Sequence, residues 1–403
     1  MATGFLAAGH LPTLFAAFFY FDMSFMVWVL LGPLGVQISQ DLALSPAEKG
    51  FMVAVPVLSG ALLRIVAGIM VDKIRPKLTG IILQIIVILS LAAAWVIGVH
   101  SFPATLGVGL ALGVAGASFA VALPLASQWY PPEHQGTALG IAGAGNSGTV
   151  FAALFAPTLA LWFGWQNVLG MAAVPLAVAL AVFVLIAKNA ERPASAQKTT
   201  DYLRVLKDAD AWWFMFLYSV TFGGFVGLSA SLTIYFADQY HLSAVTAGYF
   251  TAACVFAGSF VRPIGGAFAD RVGGVFSLSI MYAVAAVALG AISLGIWSAE
   301  VALGIFVVAM LAFGMGNGAV FQLIPQRFGR EIGVMTGLVG MAGGVGGFYL
   351  ASSLGLSKQF TGSYHPGFLV FAGLAVAALL AITGLKWRWR RTWGKQFHGA
   401  ARV

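Results

Sequence analysis

Charge is what this sequence has least of. Asp, Glu, Lys and Arg make up 8% of its 403 residues, while 60% are hydrophobic. No such residue occurs from Leu78 to Pro132 or from His134 to Ala187. A soluble domain cannot be built from that composition. Cysteine is nearly absent too: Cys254 stands alone, which excludes an internal disulfide framework. There is no His/Cys cluster with metal-ligand spacing, no nucleophile–base spacing and no nucleotide loop. GAGNSG (143–148) lacks the preceding strand and the following basic residue of a phosphate loop. We therefore expect no enzyme, no metal and no cofactor. The N-terminus shows no basic region followed by a short apolar core and cleavage site, so no removable signal peptide is expected.

What is present is apolar sequence in lengths that cross a bilayer, about 20 residues each. Each charge-free stretch holds two spans, divided at His100–Pro103 and Gly164–Gln166. Further runs fall near 10–38, 50–71, 211–237, 245–269, 275–296, 301–325, 332–357 and 366–385, making twelve. Seventeen of the 21 Lys and Arg lie on one side of these spans. They include Lys73, Arg75 and Lys77, the linker group Lys188 to Lys207, and the tail from Lys386. The positive-inside rule then makes both termini cytoplasmic. The net charge of +8 is thereby explained by topology, and no nucleic-acid partner is expected.

The spans repeat. LLRIVAGIMVDKI (62–74) matches SFVRPIGGAFADRV (259–272): Arg64, Gly68, Asp72 and Lys73 pair with Arg262, Gly266, Asp270 and Arg271 at one offset of 198 residues. GTALGIAGAGNSG (136–148) matches GVMTGLVGMAGGVGG (333–347), with Gly343 in the place of Asn146. Two six-span halves in one orientation, 1–188 and 211–403 with a linker at 189–210, are the repeat plan of a rocking transporter. The fold class expected is an all-α integral membrane protein of twelve helices in two pseudo-symmetric bundles. The Gly of each loop allows close helix approach. The Asp and basic residue can latch one conformation, which makes Gly68, Asp72, Lys73, Gly266, Asp270 and Arg271 candidate gating residues.

Arg64 and Arg262 lie inside spans. Arg64 is about 12 Å deeper than Asp72 at 1.5 Å per residue. A guanidinium does not deprotonate there, so it must meet water, an acid or an anionic ligand. Asp22 is the one clear acid within a span, and one acid cannot neutralise two arginines. Facing each other across the repeat axis, the pair suits a small anion with planar oxygens: carboxylate, phosphate, nitrate or nitrite.

These residues together resemble the nitrate/nitrite porter family of the major facilitator superfamily. The loops GIMVDKIRPK (68–77) and GGAFADRVGG (265–274) resemble the superfamily's cytoplasmic loop. GAGNSG and GMAGGVGG resemble the porter family's glycine-rich signatures. GASFAVALP (116–124) and GMGNGAVFQLIPQRF (314–328) also fit. The resemblance implies Arg64 and Arg262 as an anion clamp and Asn146 as a donor. It implies Tyr218 and Phe222, one turn apart, as aromatic wall, with Phe119 and Phe25 beside them and Gly145 and Gly343 as close backbone. Asn317 and Gln322 are either pocket residues or helix–helix contacts. The function implied is secondary transport of nitrate and nitrite across the cytoplasmic membrane, by a monomer embedded in lipid.

The driving force stays open between nitrate/nitrite exchange and proton symport. Two permanent cations favour exchange, because an empty pocket resists closing. Symport needs a titratable group, and Asp22 in FFYFDMSFMVWV is the candidate for proton coupling; a structural partner to a helix end or an arginine is its other role. The six histidines fall near span ends or in loops. Alternative cargoes are a small carboxylate, cyanate or an organic phosphate, and the alternative class is an anion channel or sensor.

Overall fold

The structure is a computed structural model and describes residues 5–190, 204–328 and 331–393. Among them are twelve helices long and apolar enough to cross a membrane. In chain order these are α1 (Leu11–Trp28), α2 (Pro46–Ile74), α3 (Pro76–Ile97), α4 (Phe102–Ser127), α5 (Ala138–Phe163) and α6 (Trp165–Ile186). The second half continues with α7 (Ala209–Tyr240), α8 (Ala244–Val272), α9 (Gly274–Ile292), α10 (Ala299–Arg327), α11 (Gly333–Thr361) and α12 (His365–Arg391). Among the described residues there is no strand. Most of the expected linker, 191–203, lies outside them, and α7 begins at Ala209.

Local sequence sets the ends. Ser45 and Glu48 form a reciprocal capping box at the start of α2, followed by Pro46 in the first turn. Ser101, Ser243 and Ser298 cap their helices through the backbone three residues on. The apolar run expected from 10 to 38 is interrupted after Trp28. Pro33 has no N–H to donate, and residues 29–34 form tight turns before a short helix at Gly35–Asp41. Gly32 passes there directly against the Ala230 backbone.

The two halves meet along α2–α11 and α5–α8. Glycine makes the approach possible. A Cβ on Gly50 would stand 2.8 Å from the Gly355 Cα, and one on Gly248 would stand 2.7 Å from the Ala153 carbonyl. Gly344 meets Ala61 and Gly347 meets Val57 in the same seam. These contacts run from mid-depth to the side away from the termini. There an ion pair crosses between halves, Lys49 Nζ to Asp238 at 2.8 Å, and the Tyr364 hydroxyl donates to the same carboxylate at 2.9 Å. The first half has a counterpart for part of this device: Asp41 accepts from Trp165 Nε1 at 3.0 Å. Asp41 and Asp238 each pin the start of the last helix in their own half. Ala247 occupies the repeat position of Lys49, so this pair has no counterpart there.

The internal repeat is visible in packing. Gly145 on α5 faces Phe21 on α1, and Gly343 on α11 faces Tyr218 on α7. Gly148 abuts the Asp22 carbonyl as Gly346 abuts that of Ser219. Gly343 therefore corresponds to Gly145, and Asn146 corresponds to Gly344. That corrects the sequence pairing of Asn146 with Gly343. The cause is a 3₁₀ stretch, Ala144–Ser147, inside α5. It turns further per residue than an α-helix, so one residue fewer brings the chain round to the same face. In the second half the helix Ile332–Thr361 is continuous.

Candidate anion site between the halves

The middle of α2 carries Arg64 into the seam, where it is 1% exposed. Its Nε donates to the Gly116 carbonyl at 3.2 Å, and its Nη1 donates across the seam to the Gly340 carbonyl at 2.5 Å. Four rings surround the guanidinium: Phe119 at 5.1 Å, Trp28 and Phe222 at 5.2 Å, and Phe25 at 6.0 Å. These cation–π contacts replace part of the lost hydration. Trp28 is seated in turn by Gly60 and Gly116, where any side chain would overlap its indole, and by its Nε1 bond to the Pro56 carbonyl at 2.7 Å.

Arg262 stands at the equivalent position on α8, in a turn at Val261 that splits the helix. It is half-buried. Its Nη2 donates to the Tyr218 hydroxyl at 3.3 Å, and its guanidinium lies 5.5 Å from the Phe321 ring. Tyr218 is close enough to interact electrostatically with both arginines. Phe321 closes the wall, 5.2 Å from Tyr218 and 6.3 Å from Phe119. Tyr218 and Phe222 stack with centroids 5.2 Å apart. The repeat extends to this wall, since Phe21, Phe25 and Trp28 on α1 correspond to Tyr218, Phe222 and Phe225 on α7.

Each arginine keeps one buried nitrogen without a partner, Nη2 of Arg64 and Nη1 of Arg262. Asn146, fully buried in the 3₁₀ stretch, has neither amide atom bonded. Leaving a buried donor unpaired costs about 1–3 kcal/mol, more if charged. Two such guanidinium nitrogens, one from each half, can receive oxygen atoms. Asn317 on α10 is likewise buried with both amide atoms unbonded, on the helix face that carries Phe313 and Phe321.

Phe25, Phe119 and Phe222 lie around Arg64, and Tyr218 joins Arg262 to them, whereas Asn146 sits on the 3₁₀ stretch packed against α1 and α8. Gly145 and Gly343 are not at the arginines: they face the rings of Phe21 and of Tyr218 and Phe222, and their smallness lets α5 and α11 lie close to α1 and α7. The glycines that reach Arg64 are Gly116 and Gly340, through their carbonyls, and a Cβ placed on Gly340 would stand 3.4 Å from Nη1. Asp22 pairs with neither arginine. It accepts from Ser147 Oγ at 2.7 Å and from the Gly148 backbone N–H. In the loops, Asp72 and Arg271 each engage a neighbour, while Lys73 and Asp270 are exposed. The close approach there is made by Gly265 against Met315, not by Gly266, whose nearest such atom is the Gly318 carbonyl at 3.9 Å.

The family model described as Major Facilitator Superfamily matches residues 13–351. A "Nitrite extrusion protein" of Bacillus subtilis (strain 168) is 31% identical, covering 91% of this chain and 92% of that protein. A "Probable nitrate/nitrite transporter NarK2" of Mycobacterium tuberculosis is 33% identical over 88% of this chain and 91% of its own. The chain belongs to the nitrate/nitrite porter family of the major facilitator superfamily. As a member of that family it is a multi-pass membrane transporter and not an enzyme. Another similar porter, a "Probable nitrate/nitrite antiporter NarK1" of Thermus thermophilus, is 30% identical over 89% of this chain and 88% of its own. Among solved structures, a bacterial homologue of the human lysosomal transporter Spinster superposes with a TM-score of 0.70. It covers 93% of this chain and 96% of its own at 17% identity, which speaks for the fold alone.

Proposed function

We propose that this porter carries nitrate and nitrite by alternating access, with Arg64 and Arg262 clamping the anion from the two halves. The observation that carries this reading is the pair of unpartnered guanidinium nitrogens inside an aromatic box, with Tyr218 between the arginines. Each guanidinium offers the anion its unpartnered nitrogen, Nη2 of Arg64 and Nη1 of Arg262, and ring faces bound the anion's plane without demanding further hydrogen bonds. Asn146 supplies an amide donor. An anion in the clamp offsets two fixed positive charges, so the loaded carrier closes more readily than the empty one. That favours exchange of nitrate for nitrite, and the names of the relatives support the same cargo. The carrier sits in the cytoplasmic membrane with both termini inside, supported by the placement of Lys and Arg. Each chain holds a whole site, so the monomer is the working unit. The Asp72 and Asp270 loops gate the termini side.

Counterflow of labelled nitrate in liposomes tests the reading. Nitrite on the opposite side should accelerate it, and chloride, formate, cyanate and organic phosphate should compete poorly. Flux without acceleration by nitrite points to a channel. Equal competition by formate or phosphate overturns the assignment of cargo.

A further inference from the structure

We propose that Asn317 is the positioning residue for Arg262: once an anion is seated, its side-chain oxygen accepts from Nη1 and holds the guanidinium to α10. The inference rests on the anion-site reading above and adds the side chain that aims its second arginine.

The two arginines are held unequally. Arg64 donates to two backbone carbonyls, Gly116 and Gly340. The first is available because α4 is broken at residues 117–118. The Ala120 N–H, which would reach Gly116 in an unbroken helix, bonds to Ala117 instead at 3.0 Å. The corresponding helix of the second half is α10. A Cβ on Gly60 would stand 3.1 Å from the Gly113 carbonyl, and one on its repeat partner Gly258 would stand 3.0 Å from that of Met310. In this register Gly116 corresponds to Phe313, and Ala120 to Asn317. Because α10 is continuous from Ala299 to Arg327, the Phe313 carbonyl is taken by its own helix. Arg262 therefore gains no such backbone acceptor. Its own backbone is less constrained too, since Pro263 cannot donate to the Ser259 carbonyl and α8 is split at Val261. Where the first half has the methyl of Ala120, α10 offers an amide.

The neighbouring contacts fix where that amide points. Gly314 and Gly318 meet α8, at Gly258 and at the Arg262 carbonyl. Phe313 and Gly316 meet α7, at Gly224 and at the Thr221 side chain. Asn317 lies between these two sets around the helix, so it faces the gap between α7 and α8. One turn on, Phe321 stands 5.2 Å from Tyr218 and 5.5 Å from the Arg262 guanidinium. Among the described residues, four buried polar atoms around this gap have no partner: Oδ1 and Nδ2 of Asn317, Oγ1 of Thr221 and Nη1 of Arg262. One arrangement satisfies all four, with Nη1–H donating to Oδ1 and Nδ2–H donating to Thr221 Oγ1. Nη1 carries two N–H groups, so the second stays for the anion. A neutral amide holds the arginine without cancelling the charge that draws the anion.

Nitrate binding to the purified full chain tests this. Asn317→Ala should weaken nitrate about tenfold, the worth of one hydrogen bond to a charged group. Its melting temperature without nitrate should stay close to the parent's. Asn317→Asp should weaken nitrate further at neutral pH, because an ionised carboxylate takes the arginine in the anion's place. Relative to the parent, that loss should shrink by up to about tenfold per pH unit as the pH falls and the carboxylate is protonated. A residue that only joined helices would give no such slope. The ionisable groups nearest this position are Tyr218 on α7, Arg262 on α8, Tyr282 on α9, whose hydroxyl donates to the Leu217 carbonyl at 2.8 Å, and Arg64 across the seam. All are common to parent and variant, so the difference reads the new carboxyl group. Should Asn317→Asp not fold, Asn317→Ala and Thr221→Val decide; the latter releases the amide and should weaken nitrate roughly threefold. Asn317→Ala that binds nitrate as the parent does overturns the proposal, as does an Asn317→Asp protein with the parent's affinity and slope. A parent that binds no nitrate, or an Arg262→Gln protein that binds it as the parent does, overturns the anion-site reading itself.

Discussion

Replacing Arg64 by lysine keeps the charge and removes the fork. The ammonium can still follow the stem toward the Gly340 carbonyl and lie among Phe25, Trp28, Phe119 and Phe222. It cannot hold Gly340, Gly116 and an anion in one plane, because its three donors radiate from one atom. The expected loss is one charge-assisted hydrogen bond to the anion, about 1.5–3 kcal/mol. At about 1.4 kcal/mol per factor of ten, nitrate binding weakens roughly 10- to 150-fold, and uptake from dilute nitrate is lost. Equilibrium binding in detergent reads the affinity, and flux in liposomes reads the uptake. A melting temperature close to the parent's would show that the lysine is housed. If Arg64→Lys binds nitrate within threefold of the parent, the fork is not what holds the anion, and the clamp is wrong.

Two further outcomes follow from the seams. Gly148→Ala should lower thermal stability by about 1–3 kcal/mol or more, because its Cβ would overlap the Asp22 carbonyl; Gly140→Ala, which meets open space, should be neutral or slightly stabilising, and equal melting temperatures for the two would refute the packing account. Lys49→Met removes an ion pair whose side chains are 18% and 24% exposed, so only about 0.5–1 kcal/mol is at stake; thiol labelling of a Ser231→Cys probe in that seam should rise roughly two- to fivefold, and an unchanged rate would show that the pair does not hold the seam.

Much of this was legible because a charge in an apolar run is loud. Arg64 and Arg262 stand out in any reading of the chain, and their spacing exposes the repeat. Tyr218 and Phe222 could be found through their motif on α7. Phe321 and Trp28 could not, since in a chain with 32 Phe and 11 Trp no single ring carries a signal. Gly145 and Gly343 illustrate a different difficulty. A glycine announces close approach without saying to what, and here the neighbour is an aromatic ring on the adjacent helix. The register of Asn146 was hidden for a geometric reason: a short 3₁₀ turn leaves no mark in composition but moves every later residue to a new face. The bond from Ser147 to Asp22 joins residues 125 apart, and only packing reveals it.

Asp41, closing the short helix that follows α1, and Asp238, near the end of α7, do one job twice, each anchoring the last helix of its own half. Lys49 was added once. Because the two halves share one orientation in the membrane, their likeness does not make its two sides equivalent. The Lys49–Asp238 pair joins the two halves on the side away from the termini, and opening it costs only about 0.5–1 kcal/mol. Closure of the side away from the termini can therefore be tuned at one side chain that lies apart from Arg64 and Arg262.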